Sequence, residues 1–138
     1  KILKKHEIET GSQSILIVED DEITRDMLTK SLETNDFKVI VAKNGKEALK
    51  RVKKAKPALI LLDLMMPEMD GFEFAEKLRE KKEWLDIPVV VITAKDLTKE
   101  DHSRLKGNVE AIMQKGSYSK DELLSEVGNR IKKLKEKG

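Results

Sequence analysis

The sequence predicts a doubly wound α/β domain on a five-stranded parallel sheet. Three observations carry this: five short apolar runs of strand length, segments of helical period between them, and helix-start signals at the junctions.

The apolar runs occupy residues 15–18, 39–42, 58–62, 89–92 and 109–113, the last being the weakest. Most are rich in β-branched residues and do not alternate with polar ones, the pattern of strands covered on both faces. Ile23, Met27, Leu28 and Leu32 recur at helical spacing after the first run. Leu123, Leu124, Val127, Ile131 and Leu134 do so after the last. Asn44-x-x-Glu47, Asp70-x-x-Glu73, Thr98-x-x-Asp101 and Ser119-x-x-Glu122 each place an N-cap acceptor three residues before an acid. Strand alternating with helix requires right-handed crossovers, hence a parallel sheet with helices on both sides.

Length and composition agree. The 138 residues suffice for one domain with a hydrophobic core and are too few for two ordinary ones. Residues 1–14 are read as a linker or tail, 15–134 as the domain and 135–138 as a C-terminal tail. Lys1 is not read as a natural start, so the chain is expected to be a piece of something longer. A net charge of +2, from 28 basic and 26 acidic residues, is too balanced to indicate nucleic-acid or membrane binding. The Lys50, Arg51, Lys53, Lys54, Lys56 cluster and the Lys132, Lys133, Lys135, Lys137 cluster are read as solvated helix ends. The absence of cysteine excludes thiolate metal sites and cysteine nucleophiles. No apolar run approaches the roughly 18 residues of a membrane span, and cytoplasm is the expected location.

In such a sheet the ligand site lies beyond the carboxyl ends of the strands. The residues there are Glu19, Asp20 and Asp21 after the first run, Asp63 after the third, Thr93 after the fourth and Lys115 after the fifth. Several carboxylates in one cleft repel each other unless neutralised, and a hard cation such as Mg²⁺ does this best while accepting a phosphate oxygen. Asp63 could then attack phosphorus, with Lys115 offsetting charge, to give an aspartyl phosphate. Asp21 and Asp70 are read as helix caps, and Pro67 and Gly71 as loop punctuation. Met65, Met66 and Met69 are assigned to shielding the site. His6 and His102 are assigned no role, and Phe72, Phe74 and Trp84 are expected to pack around the third helix.

The ordered set Glu19-Asp20, Asp63-x-x-x-Pro67-x-x-Asp70-Gly71, Thr93-Ala94 and Lys115 resembles the response-regulator receiver family of two-component signalling. The resemblance implies a flavodoxin-like receiver fold and a phosphoryl-accepting switch rather than a turnover enzyme. It implies that Asp20 ligates Mg²⁺ directly and Glu19 through water, that Asp63 is both ligand and phosphoacceptor, and that the Met65 carbonyl is a further ligand. Thr93 and the Ala94 amide would bond phosphoryl oxygens, and Lys115 would pair with Asp63 and then with phosphate. The donor would be a histidine kinase or histidine phosphotransfer domain, docking on the first helix around Ile23 to Met27 and on the Lys115 loop. A weak homodimer is possible, and no nucleic acid is expected to bind through this domain.

Two positions depart from the family. Ile112 stands where Tyr or Phe is common, which puts aromatic gating in doubt, and Tyr118 is not its equivalent. Gly116 stands where proline is usual, and the bond before it is expected to be trans. The Lys115-Gly116-x-Tyr118-Ser119 stretch is similar to receivers of multidomain hybrid sensor kinases. A haloacid-dehalogenase-type phosphotransferase is disfavoured because Met65 stands where its second Asp would be. A flavodoxin-like mononucleotide binder is disfavoured because Glu19, Asp20 and Asp21 would repel phosphate without a metal. A receiver degenerated to a docking module is the remaining rival.

Overall fold

A computed structural model of the chain describes residues 14–66, 69–94, 96–114, 116 and 118–137, with side chains to Ile131 apart from that of Lys120. In chain order the elements are β1 (Ser14–Val18), α1 (Glu22–Thr34), β2 (Lys38–Ala42), α2 (Gly45–Lys54) and β3 (Leu59–Leu62). There follow α3 (Gly71–Leu78), a 3-10 turn (Lys82–Trp84), β4 (Val89–Thr93), α4 (Lys99–Leu105), β5 (Ala111–Gln114) and α5 (Lys120–Lys137). The strands form one parallel sheet in the order β2-β1-β3-β4-β5. The chain moves from β1 to one side and then returns past it, so the order reverses between β1 and β3. That is the crevice where such sheets place their ligands.

The two-residue period of the strands sorts their side chains into two cores. Leu16, Val18, Ile60, Leu62, Val89 and Val91 pack with Ala48 and Val52 of α2, Phe72, Phe74, Ala75 and Leu78 of α3, and Leu105 of α4. Their neighbours Ile15, Ile17, Leu59, Leu61, Val90 and Ile92 pack with Leu28 and Leu32 of α1 and Leu123, Val127 and Ile131 of α5. Every residue of β1, β3 and β4 is buried, which is why those runs show no polar alternation. β5 is an edge strand and only half-buried, which explains the weaker run.

β5 also starts later than its apolar run. Val109 closes the turn after α4, donating its N–H to the Leu105 carbonyl at 3.2 Å, and the strand begins at Ala111. The helix starts fall where the capping signals put them, but not all as full boxes. Thr98 and Asp101 bond reciprocally, as do Ser119 and Glu122. Asn44 and Asp70 cap the amides of Glu47 and Glu73. Glu47 reaches back one residue further than a box requires, to the Lys43 N–H at 3.1 Å.

Trp84, Phe72 and Phe74 are buried in the core around α3, as the sequence predicts. Phe72 has a second role, since the Arg104 guanidinium of α4 lies 4.7 Å from its ring centroid while bonding Glu76 at 3.2 and 3.3 Å. Arg79, at the C-terminal end of α3, was not singled out by sequence. Its guanidinium donates to the carbonyls of Asn108, Trp84, Leu85 and Ile87 at 2.8 to 3.3 Å, tying the approach to β4 to the approach to β5. Hydrogen bonds from a charged donor are worth more than neutral ones, and removing the donor strands its acceptors. Arg79→Ala is therefore expected to lose about 2–3 kcal/mol, read as a lower urea midpoint. Arg79→Lys recovers only part, because one ammonium cannot reach four carbonyls.

Candidate functional site

Each strand tip in the crevice is fixed by the sheet before any side chain is considered. The Asp63 N–H donates to the Val18 carbonyl at 2.9 Å, and the Glu19 N–H to the Ala42 carbonyl at 3.0 Å. These bonds continue the β1–β3 and β1–β2 ladders by one residue, so both acids leave the sheet at the same level. Among the described residues the buried polar side chains are Ser14, Glu19, Asp63 and Thr93, with Glu19 2% and Asp63 5% exposed. Three of these four end strands at one edge of the sheet. Burying ionisable and hydroxyl groups there is costly without partners, so this edge is where the fold departs from simple stabilisation.

Carboxylate oxygens of Glu19, Asp20 and Asp63 lie within 4.8 Å of one another, with Asp20 exposed to solvent. The cluster supplies only hard oxygen donors, neither imidazole nor thiolate, and suits a hard divalent cation that keeps part of its water. Glu19 also accepts the Asp21 N–H at 3.2 Å, and Asp63 Oδ1 accepts the Met65 N–H at 3.3 Å. These contacts orient the two carboxylates from the main chain that follows them.

Asp21 belongs to the helix. Its carboxylate accepts from both the amide and the hydroxyl of Thr24, at 2.9 and 2.6 Å, as an N-cap. Thr93 ends β4, fully buried, in register with Gln114 of β5, and exposed Ala94 follows it. Met65 is exposed to solvent. Lys115 and Pro67 lie outside the described residues, as does His6; His102 is exposed on α4.

Ile112 packs against the core of α2, α3 and α4, whereas Tyr118 packs against the core of α1 and α5. Tyr118 thus lies across the sheet from Ile112, in agreement with its not being the equivalent residue. Gly116 has φ +90°, a conformation that a proline ring forbids. The bond before Gly116 involves Lys115 and is outside the described residues.

Sequence reasoning missed one close approach. A Cβ on Gly71 would lie 2.5 Å from the Asp63 carbonyl oxygen and 2.7 Å from the Leu64 Cα. The first residue of α3 therefore rests directly on the main chain of Asp63, and its N–H donates to the Leu64 carbonyl at 3.1 Å. Gly71 sets how closely the helix approaches the acid.

A family model described as the response regulator receiver domain matches residues 15–128. The alkaline phosphatase synthesis transcriptional regulatory protein PhoP of Bacillus subtilis is 42% identical over 85 residues, covering 62% of this chain and 35% of PhoP. Response regulator MprA of Mycobacterium leprae is 34% identical over 121 residues, covering 88% of this chain and 52% of MprA. The chain therefore spans about half, or less, of these curated relatives. Among solved structures, the signal receiver domain of a signal transduction histidine kinase from Syntrophus aciditrophicus superposes with a TM-score of 0.81 at 29% identity, covering 90% of this chain and 93% of that one. With the fold, the acid cluster and the matched span in agreement, the chain belongs to the response regulator receiver family.

Proposed function

We propose that Asp63 is the phosphoacceptor of this receiver domain and that it takes its phosphoryl group from a phosphohistidine, with Mg²⁺ held by Glu19, Asp20 and Asp63. The observation that carries this is the gathering of those three carboxylates within 4.8 Å at the point where the strand order reverses. A carboxylate oxygen of Asp63 forms the new bond to phosphorus as the bond from phosphorus to the donor's imidazole nitrogen breaks. The bonding pair leaves on that nitrogen, and Asp63 becomes an aspartyl phosphate.

Mg²⁺, when bound, neutralises charge on the carboxylates and on the transferring phosphoryl oxygens. Asp20 would bind it directly and Glu19 through water, and the Met65 carbonyl would be a further ligand. The Thr93 hydroxyl and Ala94 amide donate to phosphoryl oxygens of the product, and Lys115 offsets the remaining charge. Thr93 follows directly on buried Ile92, so a shift at its hydroxyl is felt in the strand, and phosphorylation biases an existing equilibrium between two arrangements.

The chain acts as a switch that catalyses only its own phosphorylation and slow hydrolysis. Its donor is a histidine kinase or histidine phosphotransfer domain, and Ile23 and Met27, 72% and 53% exposed on α1, offer apolar surface for docking. The signalling unit is assigned to residues 15–134, between flanks 1–14 and 135–138, with neither nucleic acid nor a stable dimer required. No helix among the described residues is long and apolar enough to cross a membrane, which supports assigning it to the cytoplasm.

Incubation with Mg²⁺ and acetyl phosphate is expected to add one phosphoryl group by intact mass. Borohydride trapping and peptide mapping are expected to locate it at Asp63. No gain with either acetyl phosphate or a phosphorylated histidine phosphotransfer domain, or a gain mapped to another residue, would refute the assignment and favour a docking module.

A further inference from the structure

The acidic turn between β1 and α1 is held from outside the carboxylate cluster. Arg25, on the first helical turns of α1, folds back so that Nη1 donates to the Glu19 carbonyl at 3.1 Å and to the Asp20 carbonyl at 3.4 Å. Its own N–H donates to the Asp21 carbonyl at 2.9 Å, so a single residue engages three successive carbonyls. Drawing two adjacent carbonyls onto one nitrogen fixes the orientation of both peptide planes. With both planes fixed, the Cα–Cβ direction of Asp20 between them is fixed, and that of Glu19 is fixed between the first plane and the sheet bond from its own N–H to the Ala42 carbonyl at 3.0 Å.

We propose that Arg25 is a positioning residue for cation binding, holding the Glu19–Asp20 main chain so that both carboxylates are presented together with Asp63. The role presupposes that these acids hold Mg²⁺, as proposed above. Groups that orient metal ligands without touching the metal commonly matter tenfold or more for affinity.

The sign of the effect separates positioning from charge. A guanidinium near the cluster repels a divalent cation, so if Arg25 acted only through its field, removing it would tighten Mg²⁺ binding. If it acts through the main chain, removing it frees two peptide planes, and the ordering must then be met from the binding energy, so affinity falls. Arg25→Ala is expected to weaken Mg²⁺ binding about tenfold. Arg25→Gln, neutral and too short to reach both carbonyls, is expected to weaken it in the same direction. Arg25→Lys retains the charge and one nitrogen that can take the place of Nη1, and is expected to stay within about threefold of the native chain.

The test is isothermal titration of MgCl₂ into the native chain and the three variants at fixed ionic strength, with a thermal melt of each to confirm folding. Affinity equal to or tighter than native in the folded Ala and Gln variants overturns the proposal, even if their melting temperature falls, because that would be a stability role alone. A native chain that binds Mg²⁺ while Arg25→Ala binds it equally well refutes Arg25's role and leaves the site assignment standing. A native chain that takes up no Mg²⁺ refutes the site assignment itself, and this role with it.

Discussion

Asp63→Asn is expected to accept no phosphoryl group from acetyl phosphate and, without Mg²⁺, to melt about 5 °C above the native chain. The chemical loss follows from the nucleophile, because an amide oxygen lacks the negative charge and basicity that let the carboxylate attack phosphorus. The stability gain follows from the company Asp63 keeps. Its carboxylate lies within 4.8 Å of those of Glu19 and Asp20, and Asp63 and Glu19 are both almost fully buried. Two like charges about 5 Å apart at an effective dielectric of about 20 repel by about 3 kcal/mol. Solvation of exposed Asp20, neighbouring dipoles and the Lys115 ammonium assigned above to Asp63 all reduce this, and a net gain of about 1–2 kcal/mol is retained. Asparagine preserves the Oδ1 acceptor for the Met65 N–H, so the loop after β3 keeps its anchor. Added Mg²⁺ should narrow the difference, since it binds the native acids more tightly and stabilises them by mass action. A lower melting temperature than native in metal-free buffer, or continued phosphorylation, would contradict the crowding of acids at this site.

Gly71→Ala is expected to cost about 2–4 kcal/mol and at least tenfold in the rate of phosphoryl uptake. At most positions in a helix alanine is better than glycine by about 1 kcal/mol. Here the added methyl would meet the Asp63 carbonyl oxygen at 2.5 Å and the Leu64 Cα at 2.7 Å, both main-chain atoms that cannot rotate aside. Either α3 lifts off the loop or the loop after Asp63 moves, and both displace the acid. Gly128→Ala is the matched control, because a Cβ there meets nothing within 4 Å and α5 should gain stability. Urea unfolding and single-turnover phosphorylation of the two variants should move in opposite directions for stability, and only Gly71→Ala should slow uptake. Equal behaviour of the two would remove Gly71 from the account of the site.

The strands and their tips were legible because period and burial act locally. Each central run is continuous and apolar, so the first charged residue after it marks the strand end, and Glu19, Asp63 and the hydroxyl of Thr93 fall there. The capping residues were legible for the same reason, since an Asp or Thr side chain bonds an amide within three residues. The edge strand was placed two residues early, because a half-buried strand mixes polar and apolar residues and a nearby turn can hold the apolar Val109. Arg25, Arg79 and Gly71 were missed for a different reason. Their roles depend on main chain that only the tertiary fold brings near, and a carbonyl acceptor leaves no mark in the sequence. Gly71 reads as punctuation until the Asp63 main chain is found against its Cα.

The sorting of strand side chains into two cores also sets how firmly each helix is held. α5 spans 18 residues and places Leu123, Val127 and Ile131 in one core, whereas seven-residue α4 places a single buried side chain, Leu105, in the other. Its remaining grip on α3 is a solvent-facing arginine on a carboxylate and a ring. Among the described α-helices α4 is thus the cheapest to displace, and a shift at the Thr93 hydroxyl of the kind proposed above would meet least resistance in its direction.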